Sequence, residues 1–160
     1  MTERVDAAIA ALRAKLIELE AVVRATDDVG WRRETGAEGW PVGLVAFHIA
    51  RGFQRQAEFI EAARDQLGPH MFSWGDTHDL NASTIAAAHP SPTRDEVVAL
   101  ARSSVGRMEL ALQAMDESAL ARVAFVNEGR ERDAIWVAGR LATEHARGHL
   151  ESIAGTARAS

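Results

Sequence analysis

The sequence predicts an all-α protein, a four-helix bundle with long connecting segments, and three observations carry that expectation. Long segments repeat apolar residues every three to four positions, as the buried stripe of a helix requires. Their ends carry helix signals, among them Pro41, the Gly68-Pro69 pair and a Thr93-x-x-Glu96 capping box. β-Branched residues rarely alternate, and the one segment that reads as a strand is 122–127.

The first helix is expected over about residues 3–27. Val5, Ile9, Leu12, Leu16, Leu19 and Val23 form its stripe, while Glu3, Arg13, Glu18 and Glu20 lie largely off it. Asp27, Asp28 and Gly30 end it, and 31–39 reads as a polar connection. The second helix starts at Trp40-Pro41, because a Pro in the first turn loses no hydrogen bond, and it buries Val42, Val45, Ile49, Phe53, Ile60, Ala63 and Leu67. A loop over 69–76 and a short helix over 77–88 follow, closed by His89-Pro90. The third long helix opens at the capping box and buries Val98, Ala101, Val105, Met108, Leu112 and Met115. Residues 116–126 are weaker and 127–133 read as a charged loop. The fourth helix covers about 133–156. No repeat or linker divides the chain, so residues 1–160 read as a single helical-bundle domain.

Composition narrows the function. The 160 residues carry a net charge of −5, with basic residues interspersed among acids, and a nucleic-acid partner is not expected. No apolar run approaches a membrane span and the N-terminus lacks the order of a signal peptide, so the expectation is a cytoplasmic protein with no membrane partner. There is no Cys and no Tyr. Any metal or proton-transfer site must therefore use the six His, the carboxylates and the hydroxyls.

The most informative motif is Glu144-His145-Ala146-Arg147-Gly148-His149. Two His at i, i+4 stand one above the other on a helix face, about 6 Å apart along the axis, and can present two imidazoles to one cation. At 100° per residue His145 and His149 share a sector with Ala138, Leu141, Ala142, Ser152 and Ile153, opposite Arg140, Glu144, Arg147 and Glu151. Both rings therefore face inward, and Gly148 is expected to leave room beside His145. Glu144 reads as a solvated acid. His48, at the margin of the second helix's stripe, either bonds a carbonyl in the core or completes a three-His site. Three neutral imidazoles leave positions open for water or substrate, as catalytic metals require. His70, His78 and His89 read as solvated surface residues.

At these residues the chain resembles the DinB-like superfamily, metal-binding four-helix bundles that include bacillithiol and mycothiol S-transferases. The matching parts are 40–50, the Asp79-Leu80-Asn81-Ala82 segment before 91–97, and 144–149. The resemblance implies a divalent metal held by His48, His145 and His149, and a homodimer. In the mycothiol-dependent maleylpyruvate isomerase branch the middle ligand is a Glu; His145 stands there, which places this chain nearer the three-His branch. Zn or Ni is favoured, with Fe and Mn also compatible.

A metal-dependent thiol S-transferase acting on small electrophiles, in stress or detoxification chemistry, follows as the leading expectation. With no Cys in the chain, the low-molecular-weight thiol must be a cosubstrate. A non-enzymatic metal or small-molecule binder and a metal-dependent hydrolase are the alternatives. Trp40, Phe72 and Trp74 line the mouth of the site or serve core and dimer packing, and Asn81 orients a polar group or caps a helix. No catalytic base is assigned.

Overall fold

The chain runs through α1 (Glu3–Ala25), α2 (Asp28–Arg32), α3 (Val42–Arg64), β1 (His70–Met71), α4 (Trp74–Ala87), α5 (Arg94–Gln113), α6 (Glu117–Leu120), β2 (Val123–Asn127), β3 (Arg130–Asp133), α7 (Ala134–Trp136), a π-helical turn (Val137–Ala142) and α8 (Thr143–Arg158). This computed structural model describes residues 2–88 and 91–158, with side chains to residue 156. His89 and Pro90 lie outside the described residues.

The bundle forms as expected. α1 packs between α5 and the last helix, α3 does the same on the opposite side, and α1 and α3 face one another across the diagonal. Phe53, Leu12, Leu19, Ile49, Ile60, Met108 and Leu112 are fully buried between the four. Each such side chain contributes about 1.5–3 kcal/mol of transfer free energy. The capping box at Thr93 is present, with the Glu96 carboxylate accepting from the Thr93 N–H at 2.7 Å. Trp31, sealed under α3 against Gly43, donates its indole N–H to the Pro92 carbonyl at 3.1 Å.

Several expectations are corrected. Pro41 is the cap of α3 rather than its first residue, and the helix stops at Arg64 because Gln66 takes a positive φ of 60°. Leu67 is therefore exposed instead of buried. Val97 rather than Val98 is fully buried at the start of α5. Glu20 is buried, because Arg102 meets its carboxylate at 2.6 and 2.9 Å. Residues 28–32 form the short helix α2, opened by the Asp27 side chain accepting from the Gly30 N–H.

The all-α expectation also needs a small three-stranded sheet added to it, in the order β1-β2-β3. The strand expected over 122–127 is β2, and the charged loop expected over 127–133 contains β3. Glu128 and Gly129 both take positive φ, 51° and 74°, the geometry of a two-residue hairpin turn. Asn127 and Arg130 pair across it. The charges that made β3 read as loop belong to an exposed edge strand, where they discourage pairing with other chains. β1 pairs in parallel with β2, His70 against Phe125, and so ties the segment after α3 to the segment before α7.

Candidate metal centre

His48 comes from the second turn of α3, and His145 and His149 from successive turns of α8. Their ring centroids form a nearly equilateral triangle with sides of 4.9, 4.7 and 4.8 Å. One ligand-type nitrogen from each ring lies within 4.8 Å of the other two, and among the described residues this is the cluster able to hold a metal ion. The Nε2 atoms of His48 and His145 face each other at 3.1 Å. Two imidazole nitrogens so close need a shared proton or a cation between them, since two lone pairs repel.

Burial keeps two of the rings unprotonated. It pushes His48 down to about 4, helped by repulsion from His149 and opposed by Glu38. Burial pushes His145 down to about 3, followed by repulsion from His48 and then His149. The third ring is anchored differently: His149 Nδ1 lies 2.7 Å from Glu38 Oε1. Donation from Nδ1–H to that carboxylate leaves the Nε2 lone pair free, the arrangement that commonly orients a metal-ligating imidazole. The other Glu38 oxygen accepts from Ser152 Oγ at 2.5 Å and Thr35 Oγ at 2.6 Å. Burial raises the Glu38 pKa, but bonds from Ser152, Thr35 and His149 outweigh it and hold the carboxyl below its ordinary value. Nδ1 of His48 and Nδ1 of His145 have no protein partner. Three neutral nitrogen donors with an anionic outer partner suit a divalent cation of the zinc or nickel type.

Neighbouring groups fix the rings sterically. Trp40 meets His48 edge-on at 5.6 Å. The room for His145 comes from Gly52 on the facing helix, whereas Gly148, expected to provide it, is exposed with nothing near. The inward face of α8 is also wider than expected. Ala146, Leu150 and Ile153 are its core contacts, and the two His lie on its flank.

That flank opens on a chamber of about 300 Å³ between α3, α4 and β2. From α3 it receives His48, Arg51, Gly52, Arg55, Gln56 and Phe59. Phe72 and Asn81 also line it, while Trp74 is exposed and packs edge-on against Phe72. Asn81 lies inside α4, which Ser73 caps, so the capping reading of Asn81 falls. His70 is not a solvated surface residue. Its ring is half-buried, stacks on Phe59 at 4.2 Å and lines the chamber. Burial, then the nearby Arg55, lowers its pKa against the pull of Asp76. His78 and Glu144 are exposed, as expected, with Glu144 paired to Arg147.

Two groups of residues escaped the sequence reading. Arg51, Arg55 and Gln56 stand at i+3, i+7 and i+8 from His48, a helical spacing that marks them as the same face. Glu38 carried no such signal, because it lies in a loop. The Thr35 N–H donates to the Trp40 carbonyl at 2.9 Å, and Gly39 at φ +66° turns the chain so that Glu38 points at α8.

A four-helix bundle with three imidazoles converging from its second and last long helices defines a DinB-like protein. The profile of the mycothiol maleylpyruvate isomerase N-terminal domain matches residues 3–149, and the chain belongs to that family. Two crystal structures are similar in fold. One is the mycothiol-dependent maleylpyruvate isomerase, with a TM-score of 0.73, 16% identity, and coverage of 96% of this chain and 63% of that one. The other is a His-to-Ala mutant of the isomerase, with a TM-score of 0.75 and the same identity and coverage. The chain thus spans less than two thirds of the length of these structures. No curated protein matches it. The family match falls on the isomerase branch, so the expected closer tie to the three-His branch gives way, while His145 keeps its place in the cluster.

Proposed function

We propose that this protein is a divalent-metal-dependent enzyme that uses a small thiol cosubstrate against a small electrophile, with His48, His145 and His149 as the metal ligands. The observation that carries the reading is the convergence of three imidazoles, one of them backed by the Glu38 carboxylate, beside a chamber of substrate size. The family's named reaction depends on mycothiol, which supports thiol use. The absence of Cys means that the nucleophilic sulfur comes from outside the chain. Transfer of the thiol to the electrophile and thiol-assisted isomerisation share the same first requirement, a thiolate held beside the three rings. We favour transfer.

A divalent cation held here lowers the pKa of a coordinated thiol, so that thiolate is present at neutral pH. The chain's own residues do the rest. Glu38 fixes the tautomer and direction of His149, Trp40 and Gly52 set the planes of His48 and His145, and the Phe59, His70 and Phe125 rings exclude water from one wall of the chamber. We further read the chain as one domain over residues 1–160 that functions as a cytoplasmic homodimer. Among the described residues no helix is long and apolar enough to cross a membrane.

Metal analysis of untagged protein, followed by thiol consumption across a panel of thiols and electrophiles, tests the proposal. Stoichiometric divalent metal that is lost in His145→Ala, together with metal-dependent thiol consumption, is the expected result. Metal binding without turnover identifies a binder, turnover without thiol identifies a hydrolase, and unchanged metal in His145→Ala overturns the site.

A further inference from the structure

Six buried side-chain polar atoms among the described residues have no hydrogen-bond partner, and all six belong to residues lining the one chamber beside the three histidines. Two are the Nδ1 atoms of His48 and His145. The other four are Arg51 Nε, Arg55 Nε, Gln56 Oε1 and Thr84 Oγ1. Gln56 and Thr84 are themselves buried, at 6% and 0% exposure. An orphaned buried polar atom is destabilising, and a protein that satisfies such atoms elsewhere has no structural reason to collect them in the lining of one chamber. A lining of this kind recovers the lost stability when a ligand supplies the missing partners.

The types of orphan define that ligand. Arg51 and Arg55 only donate, and neither guanidinium is closely paired with a carboxylate. Arg51 donates to the neutral Gln54 at 2.6 Å, and Arg55 reaches Glu58 only at 4.0 Å. Gln56 Oε1 only accepts, and Thr84 does either. Asp76 is the one carboxylate lining the chamber, so two guanidinium charges face a single negative one there. The wall beside Arg55 is flat and aromatic, with His70 stacked on Phe59, Phe125 beside them and the Arg55 guanidinium 5.9 Å from the Phe59 ring centre. The roof is α4, which turns Thr77, Leu80, Asn81 and Thr84 downward at helical spacing while most of its remaining surface is exposed.

We propose that this chamber is an organic-anion site that takes a small carboxylate carrying an adjacent N–H or O–H donor. Arg51 and Arg55 receive the carboxylate, Gln56 accepts from the neighbouring donor, Thr84 closes the polar rim from α4, and the ligand's far end reaches the three histidines. Arg is suited to the role because its planar fork matches a carboxylate. The biological use of the site rests on the thiol-dependent reading above, since the carboxylate belongs either to the thiol cosubstrate or to the electrophile.

Calorimetric titration of the metal-free and the cobalt-loaded protein with N-acetylalanine, its methyl ester, O-acetyl-lactate and N-acetylcysteine tests the proposal. N-acetylalanine is expected to bind, and its methyl ester, which lacks the charge, to bind at least about tenfold more weakly. O-acetyl-lactate, which keeps the carboxylate but has no N–H, is expected to fall between them, and Gln56→Leu is expected to erase its difference from N-acetylalanine. Arg55→Leu and Arg51→Leu are expected to weaken N-acetylalanine about tenfold with unchanged cobalt content and Tm, and Arg55→Lys to restore part of the loss. Tighter binding of N-acetylcysteine with a new thiolate absorption band assigns the carboxylate to the thiol. Equal binding without that band assigns it to the electrophile. An ester that binds as well as the acid, or no binding of any acid at millimolar concentration, overturns the anion site. Loss of metal binding alone would instead sink the thiol-enzyme reading, because the titrations register the anion site with or without cobalt.

Discussion

The ring of His145 occupies the space that a side chain at Gly52 would need: a Cβ built on Gly52 comes within 2.5 Å of His145 Cε1 and 2.7 Å of its Nδ1. The two residues belong to different helices, α8 and α3, so this glycine sets how deeply the middle imidazole of the cluster can enter the bundle. Gly52→Ala is therefore expected to expel the ring before it disrupts the helix. Alanine favours an α-helix by up to about 1 kcal/mol over glycine, which offsets part of the repacking cost. Thermal melts should change little, while cobalt or zinc affinity should fall by about tenfold or more. Wild-type affinity in that variant would show that His145 is not held by the gap.

Glu38 supplies a second handle on the same cluster, acting through His149. Glu38→Gln keeps the shape of the side chain but removes the anion that accepts from His149 Nδ1. Loss of such an outer partner typically costs 10–100-fold in metal affinity, so a decrease of about that size is expected in a competition titration against a chelator. Ser152→Ala, which removes one of three bonds to Glu38, should produce a smaller decrease in the same assay. An unchanged Glu38→Gln variant would separate this carboxylate from the centre.

The burial of His48 and His145 makes the metal-free protein sensitive to acid in a definite direction. Both pKa values fall on folding, from about 6.5 in the unfolded chain to about 4 and about 3. Between those values and 6.5 the unfolded chain binds protons that the folded chain refuses, so stability is complete above pH 6.5 and declines below it. The decline is at most about 1.4 kcal/mol per pH unit for each ring. Denaturant melts of chelator-treated protein should show a midpoint falling steadily from pH 6.5 toward pH 4. The His48→Phe variant should show a shallower fall, and an identical slope in the two proteins would contradict the linkage.

Much of this architecture was legible because helices print their faces in the sequence. The stripes of α1, α3 and α5 and the i, i+4 pair His145 and His149 follow from angular spacing alone. What stayed hidden depends on contacts between segments. Glu38 points inward because of a turn at Gly39, and nothing periodic in a loop announces a direction. Gly52 rather than Gly148 makes room for His145, since the relevant gap is on the partner helix. His70 looked exposed because its burial comes from Phe59 and from the distant Phe125. β3 looked like a loop because an edge strand is free to be charged on both faces.

The π-helical turn over Val137–Ala142, which spacing at 100° per residue did not anticipate, bears directly on how the ligand helix is registered. A π turn holds one residue more than an α turn, so it inserts a residue without changing the direction of either flank. Here it lets Ala134 bury upstream while His145 and His149 keep the chamber side downstream. Gly139 lies against Ala8 of α1 at this turn, and the Thr143 hydroxyl donates to the Gly139 carbonyl at 2.9 Å. Deletion of the exposed Arg140 should therefore close the turn into regular α-helix with both flanks in place. Deletion of Arg147, between the two histidines, should instead turn His149 by about 100° from its present direction, from about 40° on one side of His145 to about 60° on the other, and so away from Glu38 and His48. Metal content and Tm measured on both proteins test the point. The Arg140 deletion is expected to retain metal and most of its stability, and the Arg147 deletion to lose metal. Metal loss in both would mean that the π turn shapes the centre itself rather than absorbing one residue ahead of it.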